Sequence, residues 1–126
     1  MTIDAHIAPD VRAMVDPDRY AQVITNLLGN ARYHGTPGKP VLISLSLDGN
    51  DTRLSVLNET DPVPAERLST LFQPFKPQSA DNLRNKNGLG IGLYISQAIA
   101  AAHSGQISVE QSGNIITFSM VQPMAA

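Results

Sequence analysis

At 126 residues, with 42% hydrophobic and 5% aromatic side chains and no Trp, the chain can bury one core built mainly from Leu, Ile, Val and Ala, which fits a single domain over 1–126. A formal charge of −2 gives no global pull toward nucleic acid or an anionic membrane, and the absence of Cys excludes disulfides, thiolate metal sites and cysteine nucleophiles. No apolar run approaches the ~20 residues of a membrane span, and Met1–Asp10 lacks the basic-then-apolar order of a secretory signal, so a cytoplasmic domain without direct membrane contact and without a nucleic-acid partner is expected.

Within residues 1–15, Thr2–Ile7 and Arg12–Val15 read as short N-terminal strands. Asp16-Pro17 then joins a favoured N-cap to a favoured first helical residue. Behind it Tyr20, Val23, Ile24, Leu27, Leu28 and Ala31 recur at helical spacing, a stripe that predicts a core-facing helix ended by Gly35 and Pro37. Val41–Leu47 and Arg53–Leu57 read as strands joined by the turn Asp48-Gly49-Asn50. Pro64 opens a short helix through Phe72, stopped by Pro74, and Lys76–Asn87 is a polar loop without periodicity, locally basic through Lys76, Arg84 and Lys86.

A second long helix is predicted from Ile91, Tyr94, Ile95, Ala98, Ile99 and Ala102, with Gly105 as its stop. Gln106–Gln111 and Ile115–Val121 form a closing hairpin across Ser112-Gly113-Asn114. Helices and strands do not alternate strictly, so an α+β fold is expected, with helices on one face of a mixed sheet.

Two features carry chemistry. Arg19, Gln22, Asn26, Asn30 and Tyr33 share a polar face of the first helix, and an Asn carboxamide oxygen suits the oxygen-rich shell of a phosphate-held Mg²⁺. Gly88-Leu89-Gly90-Ile91-Gly92 places alternating glycines at the mouth of a helix, where free N–H groups and the positive dipole end favour phosphates. His6, His34 and His103 are too scattered for a zinc motif.

The segment NLLGNARYHG (Asn26–Gly35) resembles the N box of sensor histidine kinases. VLNETDPVPAERLSTLFQPF (Val56–Phe75) resembles their first glycine box running into the F box, and GLGIGLYISQAIAAAHSGQISV (Gly88–Val109) their second glycine box with the elements that follow. GNIITFSMVQP (Gly113–Pro123) resembles the last strand. These motifs stand in family order over about Asp16 to Pro123.

The resemblance implies a Bergerat-type ATP site in a two-layer α/β sandwich, a mixed, mostly antiparallel sheet covered on one face by about three helices. It implies ATP and Mg²⁺ as cofactors, with Asn30 on the metal and Asn26 supporting the phosphate side as catalytic residues. Tyr33 stands where many kinases carry a phosphate-contacting Lys or Arg, and Asn58 where the family has its adenine-reading Asp. Residues 76–90 become the ATP lid, anchored by Phe72 and Phe75, with Lys86 as a lid base. Gly88, Leu89, Gly90, Gly92 and Leu93 form the hinge and phosphate cradle, and Thr117 lies at the back of the adenine pocket. The implied partners are ATP, a helical phosphoacceptor domain of the same kinase and a downstream response regulator.

The chain departs from the family where Asp-x-Gly-x-Gly reads Asn58-Glu59-Thr60-Asp61-Pro62, an Asn and Pro resembling those of phytochrome-type kinases. Related ATPases place a general-base Glu at the position of Asn26, which cannot take a proton from water. That favours kinase over ATPase. The rival readings are a degenerate nucleotide-binding or interaction module, supported by Thr60, Pro62 and Tyr33, and a serine kinase of the anti-sigma type.

Overall fold

The computed structural model describes residues 3–8, 16–68, 71–72 and 89–123. The first strand, β1 (Ile3–Ile7), precedes the long helix α1 (Pro17–His34). The cap of α1 forms as its sequence dictates: the Asp16 carboxylate accepts from the Asp18 and Arg19 amides at 3.0 and 3.2 Å, and Pro17, which has no N–H to satisfy, follows it. The apolar stripe of α1 is the one the spacing predicts, with Val23, Leu27 and Ala31 buried.

Two long strands follow, β2 (Val41–Asp48) and β3 (Asp51–Glu59). The turn between them is tighter than expected. Asp48 pairs with Asp51, so only Gly49 and Asn50 are left to turn, and Gly49 adopts φ 64°. Within the predicted helix from Pro64 to Phe72, the described residues form α2 (Ala65–Leu68) and a turn at Leu71 and Phe72, with Leu71 N–H donating to Leu68 O. The second long helix, α3 (Leu89–Ala102), takes in Leu89 and Gly90, which the resemblance assigns to the lid. The hairpin of β4 (Gln106–Ser112) and β5 (Ile115–Pro123) closes the fold. The predicted strand Arg12–Val15, most of the predicted lid, and Phe75 lie outside the described residues.

The five strands form one sheet in the order β1-β2-β3-β5-β4, parallel between β1 and β2 and antiparallel elsewhere. Strand alternation turns Thr52, Leu54, Val56 and Asn58 of β3, and Ile116, Phe118 and Met120 of β5, toward the helices, where they are buried. The core lies between that face and the inner stripes of α1 (Val23, Leu27, Ala31) and α3 (Leu93, Ile99, Ala100). This is the α+β sandwich that the sequence implied, with a mixed sheet and, among the described residues, three helices.

α3 stops at Gly105 as expected, and the left-handed residue of its cap is Ser104, at φ 62°. Ser104 N–H bonds Ala101 O and Gly105 N–H bonds Ala100 O, the paired closure that satisfies the last helical carbonyls. Glycine is required at 105 for closeness, because a Cβ there would run into the Val121 carbonyl and the Gln122 side chain. His103 then rivets this end to the start of α1: its Nδ1 donates to Ile99 O at 2.8 Å and its Nε2 accepts from Asp16 N–H at 3.0 Å. Gly105→Ala should therefore destabilise the chain by about 1–3 kcal/mol, the cost of forcing an atom into a packed interior. Denaturant unfolding checks this, and a variant as stable as the parent would show that β5 yields freely.

Candidate functional site

Asn58 is a polar residue at the end of the buried stripe of β3, only 3% exposed. Its amide donates to Glu59 O at 2.9 Å, while its Oδ1 is buried without a partner. A buried acceptor left unpaired costs about 1–3 kcal/mol, and a ligand N–H would relieve it. Asn30, buried on the last turns of α1, faces the same cavity of about 260 Å³. Val63, Leu71, Ile116 and Phe118 give that cavity apolar walls, and His34, Thr60 and Arg67 give it a polar rim. Its size is below the ~300–1,000 Å³ of sites that enclose a drug-sized ligand, so it suits one ring system with the rest of the ligand outside.

The walls are held by bonds that sequence patterns do not announce. Gln111 of β4 accepts from Val63 N–H at 2.7 Å and donates to Val63 O at 2.9 Å. Thr60 N–H bonds Asn114 O in the β4–β5 turn, and its hydroxyl donates to His34 O at 3.0 Å, covering one carbonyl that α1 leaves open. Gly35 lets the two elements meet, since a Cβ there would press on Ala31 O and lie 3.2 Å from the Asn58 amide. Phe72 packs edge-on against Phe118 at 6.1 Å, which anchors the chain beyond α2.

Of the residues singled out by sequence, Asn30 and Asn58 come together in the cavity. Thr117 does not. The pleat of β5 turns Ile116 and Phe118 into the cavity, so Thr117 faces the other side of the sheet and Ile116 takes the expected place. Tyr33 is 49% exposed and lines a neighbouring crevice with Arg32 and Lys39, stacking edge-on with His34 at 5.0 Å; His34 is the residue of this pair that reaches the cavity. Asn26 also lies elsewhere than expected: its amide donates to Gly92 O and to Ser96 Oγ, both at 3.2 Å, across the seam between α1 and α3. Gly92 and Leu93 are buried in that helix, Leu89 and Gly90 form its first turn, and Lys86 and Gly88 lie outside the described residues. Arg67 and Gln111 were missed because neither belongs to a periodic stripe, although Arg67 lies within the motif segment Val56–Phe75. Among the described residues no group of His and acidic side chains could hold a metal by itself, so a cation here would need ligand oxygens as well.

Residues 15–124 match the family described as histidine kinase-, DNA gyrase B-, and HSP90-like ATPase. The chain belongs to this family. It is 58% identical over 124 residues to a bacteriophytochrome of Pseudomonas aeruginosa, covering 98% of this chain and 17% of that protein. It is 34% identical over 133 residues to the probable sensor histidine kinase TcrY of Mycobacterium tuberculosis, covering 96% of this chain and 28% of that one. Among solved structures, the nucleotide-free catalytic domain of histidine kinase ThkA superposes with a TM-score of 0.79 at 29% identity, over 96% of this chain and 78% of that one. Full-length ShkA in complex with AMPPNP superposes with a TM-score of 0.80 at 26% identity, over 99% of this chain and 26% of that one. The chain thus spans well under two thirds of the length of the bacteriophytochrome and of TcrY.

In this histidine kinase ATPase domain, the fold moves the titration of His34 on the cavity rim. Burial of part of its ring, and then the Arg67 guanidinium, push its imidazole below the ordinary histidine value. The folded chain then favours the neutral ring, so the stabilising contribution is whole above the ordinary value of 6.5 and is lost as pH falls through the lower folded value. His34 stays exposed, so the effect is shallow. The thermal midpoint should fall between about pH 7.5 and pH 5, and His34→Gln should flatten part of that slope. An unchanged slope in the variant would assign the titration to another group.

Proposed function

We propose that the chain binds ATP with Mg²⁺ and donates the γ-phosphoryl group to a histidine on a separate helical phosphoacceptor domain of the same kinase, in the cytoplasm and upstream of a response regulator. The observation that carries this reading is the unpartnered buried Oδ1 of Asn58, in one small cavity with Asn30. Asn58 Oδ1 accepts from the exocyclic amine of adenine, while Val63, Leu71, Ile116 and Phe118 enclose the ring. The Asn30 carboxamide oxygen, at the cavity's α1 wall, contributes to the shell of a phosphate-bound Mg²⁺, which would neutralise charge on the phosphates when bound. Gly88, Gly90 and Gly92, with Leu89, Leu93 and Lys86, are the phosphate-side candidates that the sequence supplies.

Little covalent chemistry falls to this domain. A partner imidazole nitrogen bonds the γ-phosphorus as the bond to the ADP oxygen breaks, and positioning with charge stabilisation supplies the rate. No carboxylate stands at position 26 to take a proton from water, so hydrolysis is slow compared with transfer. AMPPNP in the ShkA complex supports the nucleotide reading by likeness. Buried Thr60, set in the cavity wall where the family has glycine, favours the second reading, a nucleotide-binding module without kinase activity.

Calorimetry should detect ATP or ADP binding that strengthens with Mg²⁺, and radiolabelled ATP should leave the isolated chain unlabelled. Acid-labile labelling of this chain would overturn the separate-acceptor reading. Asn30→Ala should weaken Mg²⁺-ATP binding much more than binding of adenosine, and equal losses would remove Asn30 from the metal. Asn58→Asp should keep or raise ATP affinity, whereas Asn58→Ala should cost about 1–3 kcal/mol by deleting the buried acceptor. GTP should bind all three proteins poorly, since guanine presents a carbonyl where adenine presents an amine. ATP bound as tightly by Asn58→Ala as by the parent would favour the module reading.

A further inference from the structure

α3 contains no charged residue, and its Leu93, Ile99 and Ala100 share one buried apolar cluster with Val23, Leu27 and Ala31 of α1. Smooth apolar surfaces of this kind do not by themselves fix how far one helix slides along another, whereas a satisfied buried polar contact does. Here that contact is Asn26. Its Nδ2 lies 3.2 Å from Gly92 O and 3.2 Å from Ser96 Oγ, one turn apart on α3. Ser96 is fully buried. A Cβ at Gly92 would sit 3.4 Å from the Asn26 carboxamide carbon, in ordinary van der Waals contact, so the first turns of α3 lie directly against that amide.

Asn26 is absent from the lining of the cavity, whereas Asn30, one helical turn further along α1, lines it. The same amide therefore joins the turn before Asn30 to the opening turns of α3, where the glycine run stands. We propose that Asn26 is a positioning residue, which with Ser96 sets the register of α3 against α1 and so holds the glycine-rich start of α3 at the phosphate side of Asn30. The inference rests on the nucleotide reading above and changes one part of it. Asn26 acts through Gly92 and Ser96, without touching phosphate.

A double-mutant cycle on the 126-residue chain tests this, by Mg²⁺-ADP and adenosine titration at a temperature where thermal unfolding shows every variant folded. Asn26→Ala should weaken ADP about tenfold while adenosine stays within about twofold, because the base site is not part of the seam. Ser96→Ala, remote from the cavity lining, should weaken ADP about threefold, and the double variant should be no weaker than about tenfold. A general loss of folding would not separate the two ligands. Ser96→Ala that binds ADP like the parent, or a double variant with multiplied losses, would overturn the proposal and put Asn26 on the phosphate itself. If Asn26→Ala does not fold, the Ser96→Ala comparison alone decides. A parent chain that binds no ADP would overturn the nucleotide reading, whereas a binding parent with an indifferent Ser96→Ala overturns only the role of Asn26.

Discussion

β3 runs through the middle of the sheet, hydrogen-bonded on both sides, and its pleat must put every second residue against the helices. Thr52, Leu54, Val56 and Asn58 take those positions, so an apolar stripe ends in a buried carboxamide. The Asn58 amide is satisfied by Glu59 O and its oxygen is not, which leaves an acceptor of fixed direction in an apolar surround. The rest of the site is arranged about this one atom: Asn30 from the helix above, Ile116 and Phe118 from the next strand, and the 60–64 segment as the wall in front.

The elements were legible because their signals are local. The cap at Asp16, the stripe from Tyr20 to Ala31 and the strand alternation each need only a few neighbouring residues, and each reappears in the fold. Family motifs singled out Asn30 and Asn58, and the fold brings both to one cavity. Facing is what a motif does not encode. One residue of offset in a strand reverses the face, and that offset separates Thr117 from Ile116. On α1 the polar stripe is broad enough for Asn26 to turn toward α3 and Tyr33 toward a second crevice while Asn30 meets the cavity.

Glycines show the same limit. Gly105 was expected as a helix stop, and a helix does stop there, but the left-handed residue is Ser104 and the glycine is needed where β5 passes beneath it. Gly92 was assigned to a phosphate cradle, and in the fold its carbonyl accepts from the Asn26 amide. Sequence shows that a side chain is missing. Only packing shows what occupies its place.

The wall formed by Thr60 to Pro64 has an unusual attachment. Pro62 and Pro64 carry no amide hydrogen, so between them Val63 has the one N–H that could join a ladder, and it meets a side chain instead of a strand. Gln111 offers both halves of its amide to both halves of the Val63 peptide face, as a neighbouring strand would, but for a single residue. The wall is thereby fastened at two places, at Val63 through Gln111 and at Thr60 through Asn114 O and His34 O, and the two Val63 bonds together contribute about 1–3 kcal/mol.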